Sequence, residues 1–184
     1  MSKILVTGGA GYIGSHTSLQ LVEKGYEVII LDSFANSSPK VIQRIKKLIN
    51  NNNNSSIGKL RFIEGDLTNY DMVNNIFLEN YSLKKPIEGV IHFAGLKAIN
   101  DSVTDPLRYW DINLVSTINL LKAMNAYNCK NIVFSSSAAV YGLKDQKLIT
   151  EESNLIPINP YGRTKLTIEK ILHDLFASDS KKWK

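Results

Sequence analysis

The stretch Lys3-Ile4-Leu5-Val6-Thr7-Gly8-Gly9-Ala10-Gly11-Tyr12-Ile13-Gly14-Ser15-His16 decides how this 184-residue chain is read. Ile4 to Val6 is a short apolar run with the character of a buried strand, and it breaks into glycines. From Tyr12 to Glu23 apolar residues recur at helical spacing, at Ile13, Leu19, Leu21 and Val22. A second apolar run, Glu27 to Leu31, ends on Asp32 and closes a βαβ unit. Its glycines fit two registers, Gly9-x-Gly11-x-x-Gly14 and Gly8-x-x-Gly11-x-x-Gly14. In such a unit one glycine makes the tight turn, one lets backbone approach a pyrophosphate, and one lets helix pack on strand. The helix start offers free N–H groups and partial positive charge to phosphates. Asp32 stands 18 residues beyond Gly14, where a carboxylate takes ribose hydroxyls and repels a 2′-phosphate. The expected ligand is a dinucleotide, NAD rather than NADP.

Strand and helix alternate through the rest of the chain. A loop from Ser33 to Pro39 leads to a helix over Lys40–Ile49, followed by Asn50 to Asn54 and Ser55-Ser56. This low-complexity insert, about 50–56, has no means of burying itself and is expected to be a mobile surface loop. Leu60–Ile63 is the third strand, Asp71–Asn80 a short helix, and Gly89–Gly95 a strand running into small residues. One long helix is expected over Pro106–Tyr127, with Asp105 as its N-cap and Pro106 at its first position. Asn131–Phe134 is the fifth strand. A loop of about 19 residues from Gly142 to Pro160 is long enough to suggest function, and a last helix covers Tyr161–Ala177. The prediction is one α/β domain spanning 1–184, a doubly wound parallel sheet of Rossmann type.

Composition narrows the function classes. Net charge is +5, from 22 Lys+Arg against 17 Asp+Glu, and part of the surplus lies in Lys46-Lys47 and the Lys181-Lys182-Trp183-Lys184 end. That reads as solvated surface, with no basic stripe interleaved with aromatics to suggest nucleic acid. The lone Cys129 excludes an intrachain disulfide and a cysteine metal cluster. No apolar run approaches membrane-spanning length, and glycines interrupt the apolar start too early for a signal peptide. A cytoplasmic protein with no metal and no membrane partner is the expectation.

Ligands of doubly wound sheets bind at strand C-terminal ends. Those ends carry Gly8–Gly14, Asp32, Asp66-Leu67, Phe93-Ala94-Gly95 and Ser135–Ser137. Asp66 suits either an adenine amino group or the cap of a turn at Thr68. Tyr161 and Lys165 are four apart on the last helix and share a face. A phenol is a poor base at neutral pH, but a nearby ammonium favours phenolate. Tyr161 is therefore the candidate general base and acid, and Ser137 can hydrogen-bond the same substrate oxygen.

These residues carry a resemblance. Tyr-x-x-x-Lys after a serine-bearing strand end is similar to the short-chain dehydrogenase/reductase superfamily. Four finer strings, Val6–Thr17, Ile91–Ala98, Phe134–Gly142 and Pro160–Lys165, resemble its extended branch and the UDP-glucose (UDP-galactose) 4-epimerases within it. The resemblance covers nearly the whole chain apart from the asparagine insert, and Phe93-Ala94-Gly95-Leu96-Lys97 is its most specific part. It implies a tightly held NAD+ and interconversion of UDP-glucose and UDP-galactose through a 4-keto intermediate, in galactose metabolism. Tyr161 would exchange the proton of the sugar 4-hydroxyl, Ser137 would bridge that hydroxyl and Tyr161, and Lys165 would hold the nicotinamide ribose. Backbone at Tyr12 and Ile13 would bind the pyrophosphate. Asp32, Ser33, Phe34, Ala35, Asn36 and Ser37, with Asp66 and Leu67, would surround the adenosine. Phe93 to Leu96, Lys97 and Asn113 would help hold the cofactor, and Lys97 would also touch substrate.

Two departures matter. Nucleotide-sugar 4,6-dehydratases of the same branch use an Asp-Glu pair where this chain has Ala138-Ala139, which argues against water loss; the epimerases usually have threonine at Ala139. The family also continues into a sixth strand and a carboxy-terminal substrate domain. The chain is thus expected to be an amino-terminal portion that turns substrate over poorly by itself. The alternative is a non-catalytic NAD-binding or interaction module. Dimerisation through Pro106–Tyr127 and Tyr161–Ala177 is implied by the resemblance alone.

Overall fold

The computed structural model describes residues 1–51, 57–142 and 148–184. Strand β1 (Lys3–Thr7) leads into helix α1 (Tyr12–Glu23), β2 (Glu27–Asp32), α2 (Pro39–Asn50), β3 (Lys59–Glu64), α3 (Tyr70–Ser82) and β4 (Gly89–His92). Then come α4 (Ile99–Thr104), a continuous helical run of α5 (Pro106–Trp110), a π turn (Asp111–Val115) and α6 (Ser116–Ala126), and β5 (Ile132–Phe134). A 3-10 turn (Ala138–Tyr141) and α7 (Pro160–Ser178) complete the described elements. The sheet order is β3-β2-β1-β4-β5 and every pairing is parallel. The order reverses between β1 and β4, and a crevice opens there at the strand C-terminal ends.

Both faces of the central strands are covered, which is why β1, β2 and β4 read as apolar runs, whereas Arg61 of β3 and Val133 of β5 are exposed at the sheet edges. Side chains alternate along a strand. Leu5, Ile29 and Leu31 therefore point to one layer, where they pack with Val73, Phe77, Leu120 and Met124 of α3 and α6. Val6, Val28 and Ile30 point to the other, with Val22 of α1 and Ile42 and Ile45 of α2. Local chemistry sets the helix starts. Ser38, Asn69 and Asn159 each cap a first turn through a side-chain oxygen, and Asp105 accepts from Arg108 N.

The structure corrects four expectations. Asn50 closes α2 and Asn51 caps it, so the asparagine run begins as helix; 52–56 lie outside the described residues, as do 143–147 of the long loop. Gly89–Gly95 is strand only to His92. Pro106–Tyr127 is not one regular helix but is interrupted by the π turn, and α4, whose polar sequence hides it, precedes it. The lysine-rich end is not simply solvated surface. Trp183 is 4% exposed and packs in the α3–α6 layer, with Lys130 Nζ 4.4 Å from its ring centre. Lys184 N donates to the Lys130 carbonyl and Ile132 N donates to the Lys184 carbonyl, both at 2.9 Å, alongside β5. Among the described residues no helix is long and apolar enough to cross a membrane.

Candidate active site

The three glycines of the opening motif have separable jobs, and the structure selects the register beginning at Gly8. Gly8 has φ +67°, a left-handed conformation that suits glycine; a Cβ there would lie 2.7 Å from Ala94 N. Gly14 sits where a Cβ would be driven into the Gly8 carbonyl oxygen and lie 2.8 Å from Gly9 Cα, so the start of α1 can press on the turn. Gly11 is different. Its φ of −71° is open to any residue, and a Cβ would meet only the Gly8 oxygen, at 3.2 Å. The space in front of Gly11 belongs to the crevice. Gly11 is also the N-cap of α1 and provides no side chain to satisfy the first helical N–H groups, so those donors face the crevice.

One cleft gathers most of the sequence-predicted cofactor residues: Gly8, Gly11 to Gly14, Asp32, Ser33, Ala35, Asn36, Asp66, Leu67 and Phe93 to Lys97. Arg108, Ile112 and Ser116 of the long helical run form a further wall, and Ser135 closes one end. Asp32 holds the β2 end rigidly. Its Oδ2 accepts from Ala10 N, and its Oδ1 accepts from Phe34 N and Ser37 Oγ, all within 2.9 Å. Ser37 thus acts through Asp32, and Phe34 turns back to pack on Phe62 with ring centres 5.0 Å apart. Both stand behind the wall. Asp66 Oδ1 accepts from Thr68 N and Thr68 Oγ1 at 2.9 Å, the turn-capping alternative, while Asp66 itself stays exposed on the cleft.

The catalytic candidates lie just beyond Ser135. Tyr161 and Lys165 are both buried on α7, with Lys165 Nζ 6.0 Å from the Tyr161 ring centre. Lys165 Nζ donates to the Ser135 carbonyl at 3.0 Å and sits 4.6 Å from the Phe134 ring centre. Burial pushes its ammonium down to about 8. Ser137 Oγ accepts from Ala139 N at 3.2 Å and so starts the 3-10 turn. Gly162 explains how this turn meets α7. A Cβ there would lie 2.6 Å from the Ala139 carbonyl oxygen, so only glycine lets the segment after Ser137 abut the helix residue next to Tyr161. Asn159 fixes the same helix start by accepting from Gly162 N at 2.7 Å.

Several supporting residues carry no local motif. Asn113, predicted as a cofactor residue, serves the cleft from behind. Its Oδ1 accepts from Leu96 N at 2.8 Å, and its Nδ2 donates to the Leu96 carbonyl and to Thr164 Oγ1. The π turn aims this amide inward. Thr164 passes the connection on to the Tyr161 carbonyl at 2.7 Å. Asn119 Nδ2 donates to the Leu67 and Thr68 carbonyls, and Ser136 Oγ donates to Glu169 Oε1.

His92 ties these parts together. Thr117 Oγ1 donates to the Asn113 carbonyl at 2.8 Å, so it accepts from His92 Nε2 at 3.0 Å; His92 Nδ1 then accepts from Thr7 Oγ1 at 2.6 Å. The ring is neutral with its proton on Nε2. Complete burial, with Lys165 adding repulsion, pushes His92 down to about 3. The unfolded chain takes up this proton near the ordinary value of 6.5, so folded-state stability falls as pH drops from about 6.5 towards 3. The slope is roughly 1.4 kcal/mol per pH unit. Urea melts at stepped pH should show it, and His92→Gln should flatten the wild-type slope by about that amount. An unchanged slope would mean that His92 does not stay neutral.

A family profile described as GDP-mannose 4,6 dehydratase matches residues 5–180. UDP-glucose 4-epimerase 2 of Arabidopsis thaliana is 50% identical over 182 residues, 99% of this chain and 49% of that protein. UDP-glucose 4-epimerase of Bacillus subtilis (strain 168) is 48% identical over 177 residues, 96% of this chain and 49% of that one. Among solved structures, the UDP-glucose 4-epimerase of Bifidobacterium longum in complex with NAD+ and UDP superposes with a TM-score of 0.86 at 42% identity. It covers 97% of this chain and 50% of its own. The UDP-Glc/GlcNAc 4-epimerase of Campylobacter jejuni gives 0.87 at 33% identity, covering 99% and 51%. The chain spans about half the length of the curated relatives it matches.

Proposed function

This chain belongs to the GDP-mannose 4,6 dehydratase family, of the short-chain dehydrogenase/reductase type, and on that premise we propose that it carries the NAD site and catalytic residues of a UDP-glucose 4-epimerase. The observation that carries this reading is one crevice that opens on bare helix N–H groups at Gly11 and runs to Ser135, whose carbonyl holds the Lys165 amine. The residues fit a dinucleotide, because Gly11 and the first residues of α1 line the crevice with no side chain at the N-cap to fill it. When bound, NAD supplies an acceptor and donor of hydride. Gly11 to Ile13 bind the pyrophosphate, and Asp32, Ser33, Ala35 and Asn36 with Asp66 and Leu67 enclose the adenosine. Lys165 holds the nicotinamide ribose and favours the phenolate of Tyr161. Tyr161 moves the proton of the sugar 4-hydroxyl, and Ser137 orients that hydroxyl. The family description names a dehydratase, but the two residues after Ser137 are Ala138 and Ala139, which bring no carboxylate for water loss. Relatives that are close to half identical and named 4-epimerases support the isomerase instead.

A homodimer formed through α5–α6 and α7 is part of this proposal, supported by the exposed Ile118 and Phe176 on those helices. Its proposed setting is the cytoplasm, in keeping with a single, buried, free Cys129. The second reading is a cofactor-binding module without turnover of its own, favoured by a cleft lining that reaches Ser135 but includes neither Ser137 nor Tyr161. The test is to release bound cofactor from the purified chain with acid, quantify NAD, and assay conversion of UDP-galactose to UDP-glucose. NAD with conversion supports the epimerase for the chain alone, and NAD without conversion supports the module. No NAD in the isolate and no binding of added NAD would overturn both.

A further inference from the structure

The cleft contains a cation that the family motifs do not assign. Arg108 lines it from the last turn of α5, on the wall it shares with Ile112 and Ser116. All three line the cleft along this helical run, with Arg108 before the π turn and Ser116 after it. Ser116 marks the adenosine end, since Asn119, one turn further on, holds the Leu67 and Thr68 carbonyls. Arg108 therefore stands further along the cleft, on the side that also carries Lys97. The same cleft is lined by the Gly8–Gly14 turn with its open helix N–H groups. Arg108 is exposed, and among the described residues no carboxylate lies within salt-bridge distance of it. The two carboxylates on the cleft, Asp32 and Asp66, are engaged by their own loops at the adenosine end.

From this arrangement we infer that Arg108 binds the diphosphate bridge of the dinucleotide from the face opposite the glycine turn, closing a clamp with Lys97. The inference rests on the NAD reading above. A diphosphate bridge carries two negative charges, and the helix terminus offers only partial positive charge from one side. A planar guanidinium can donate two parallel hydrogen bonds to phosphate oxygens and add a full charge from the other side. Because Arg108 is exposed in the free protein, its contact is made as the ligand settles and must break before release. Arg108 thus sets how long the cofactor stays.

The test is calorimetric titration of NAD+ into the 184-residue chain and its Arg108→Gln, Arg108→Lys and Arg108→Glu variants at low and high salt, with UDP titrated in parallel. Arg108→Gln should weaken NAD+ binding about tenfold at low salt and Arg108→Glu more, while Arg108→Lys, which keeps the charge but loses the paired hydrogen bonds, should fall between wild type and Arg108→Gln. The wild type should lose affinity with salt more steeply than Arg108→Gln. An exposed position predicts unchanged melting temperatures, so a binding loss is not a folding loss. NAD+ binding equal in wild type and Arg108→Gln would overturn the assignment and leave the cofactor reading intact. A loss confined to UDP would move Arg108 to a different diphosphate and overturn it as stated. Absence of NAD+ binding to the wild type would overturn the cofactor reading and this inference together.

Discussion

Gly14→Ala should unfold this protein more easily and abolish the proposed dinucleotide binding, whereas Gly11→Ala should abolish that binding at a much smaller cost in stability. The contrast follows from what each added methyl would meet. At Gly14 it would be forced onto the Gly8 carbonyl, Gly9 Cα and Gly8 carbonyl carbon, all backbone atoms without a flexible side chain to yield. Gly8 cannot retreat, because its N–H donates to the Leu31 carbonyl at 2.8 Å and its carbonyl accepts from Gly11 N at 3.1 Å. Gly14 is also tied from behind, with Ser18 Oγ donating to its carbonyl at 2.7 Å. Overpacking of this kind costs about 3 kcal/mol, and here the relief available is to lift α1 off the turn. Urea melts should show a lower midpoint at unchanged slope, and NAD+ titration should show affinity down by roughly a hundredfold or more. At Gly11 the methyl makes one tight contact, with the Gly8 carbonyl oxygen at 3.2 Å, and otherwise enters the crevice that a phosphate would use. Equal destabilisation by both substitutions would mean that Gly11 serves the fold, and full NAD+ binding by Gly11→Ala would mean that the crevice in front of it is not the phosphate site.

Trp183→Ala should cost about 3 to 5 kcal/mol, the usual range for removing a buried large aromatic, and lower the melting temperature by roughly 10 °C. Trp183 belongs to the layer formed by α3 and α6, together with Phe77, Leu120 and Met124. Its backbone N–H donates to the Asp179 carbonyl at 3.0 Å, and the Lys130 ammonium lies over its ring. The indole thus seals the layer beside β5. Lys182→Ala is the control. Its pairing with Asp179 at 3.1 Å is exposed, and such pairs contribute about 1 kcal/mol or less. If Trp183→Ala melted with the wild type, the chain end would be no part of the core.

The five strands, their alternation with the longer helices and most helix starts were legible in the sequence because each depends on residues a few positions apart; α4, six residues of mostly polar sequence, was not. Apolar runs flanked by glycine mark strands buried on both faces. Apolar residues at three and four mark helices, and Asp105 before Pro106 marks one helix start. The glycine turn and the residues at strand ends were legible for the same reason, since a parallel sheet collects its strand C-terminal ends along one edge whatever fills the layers. The Tyr161–Lys165 pair needed only helical geometry to share a face.

What the tertiary structure decided are the contacts between residues distant in sequence. The choice of Gly8 over Gly9 as the turn residue depends on Ala94 and Phe93 lying against it from β4. The proton position on His92 depends on Thr7, 85 residues away, and Thr117, 25 residues away. Asn113 reads as one polar residue in a helical pattern until the π turn sends its amide to Leu96 and Thr164. Trp183 sits among lysines whose local pattern says surface, and only the α3–α6 layer beside β5 gives it a core to enter. Periodicity and turn chemistry act within one element and are written there; burial, proton position and backbone approach are set by whichever element the fold brings alongside.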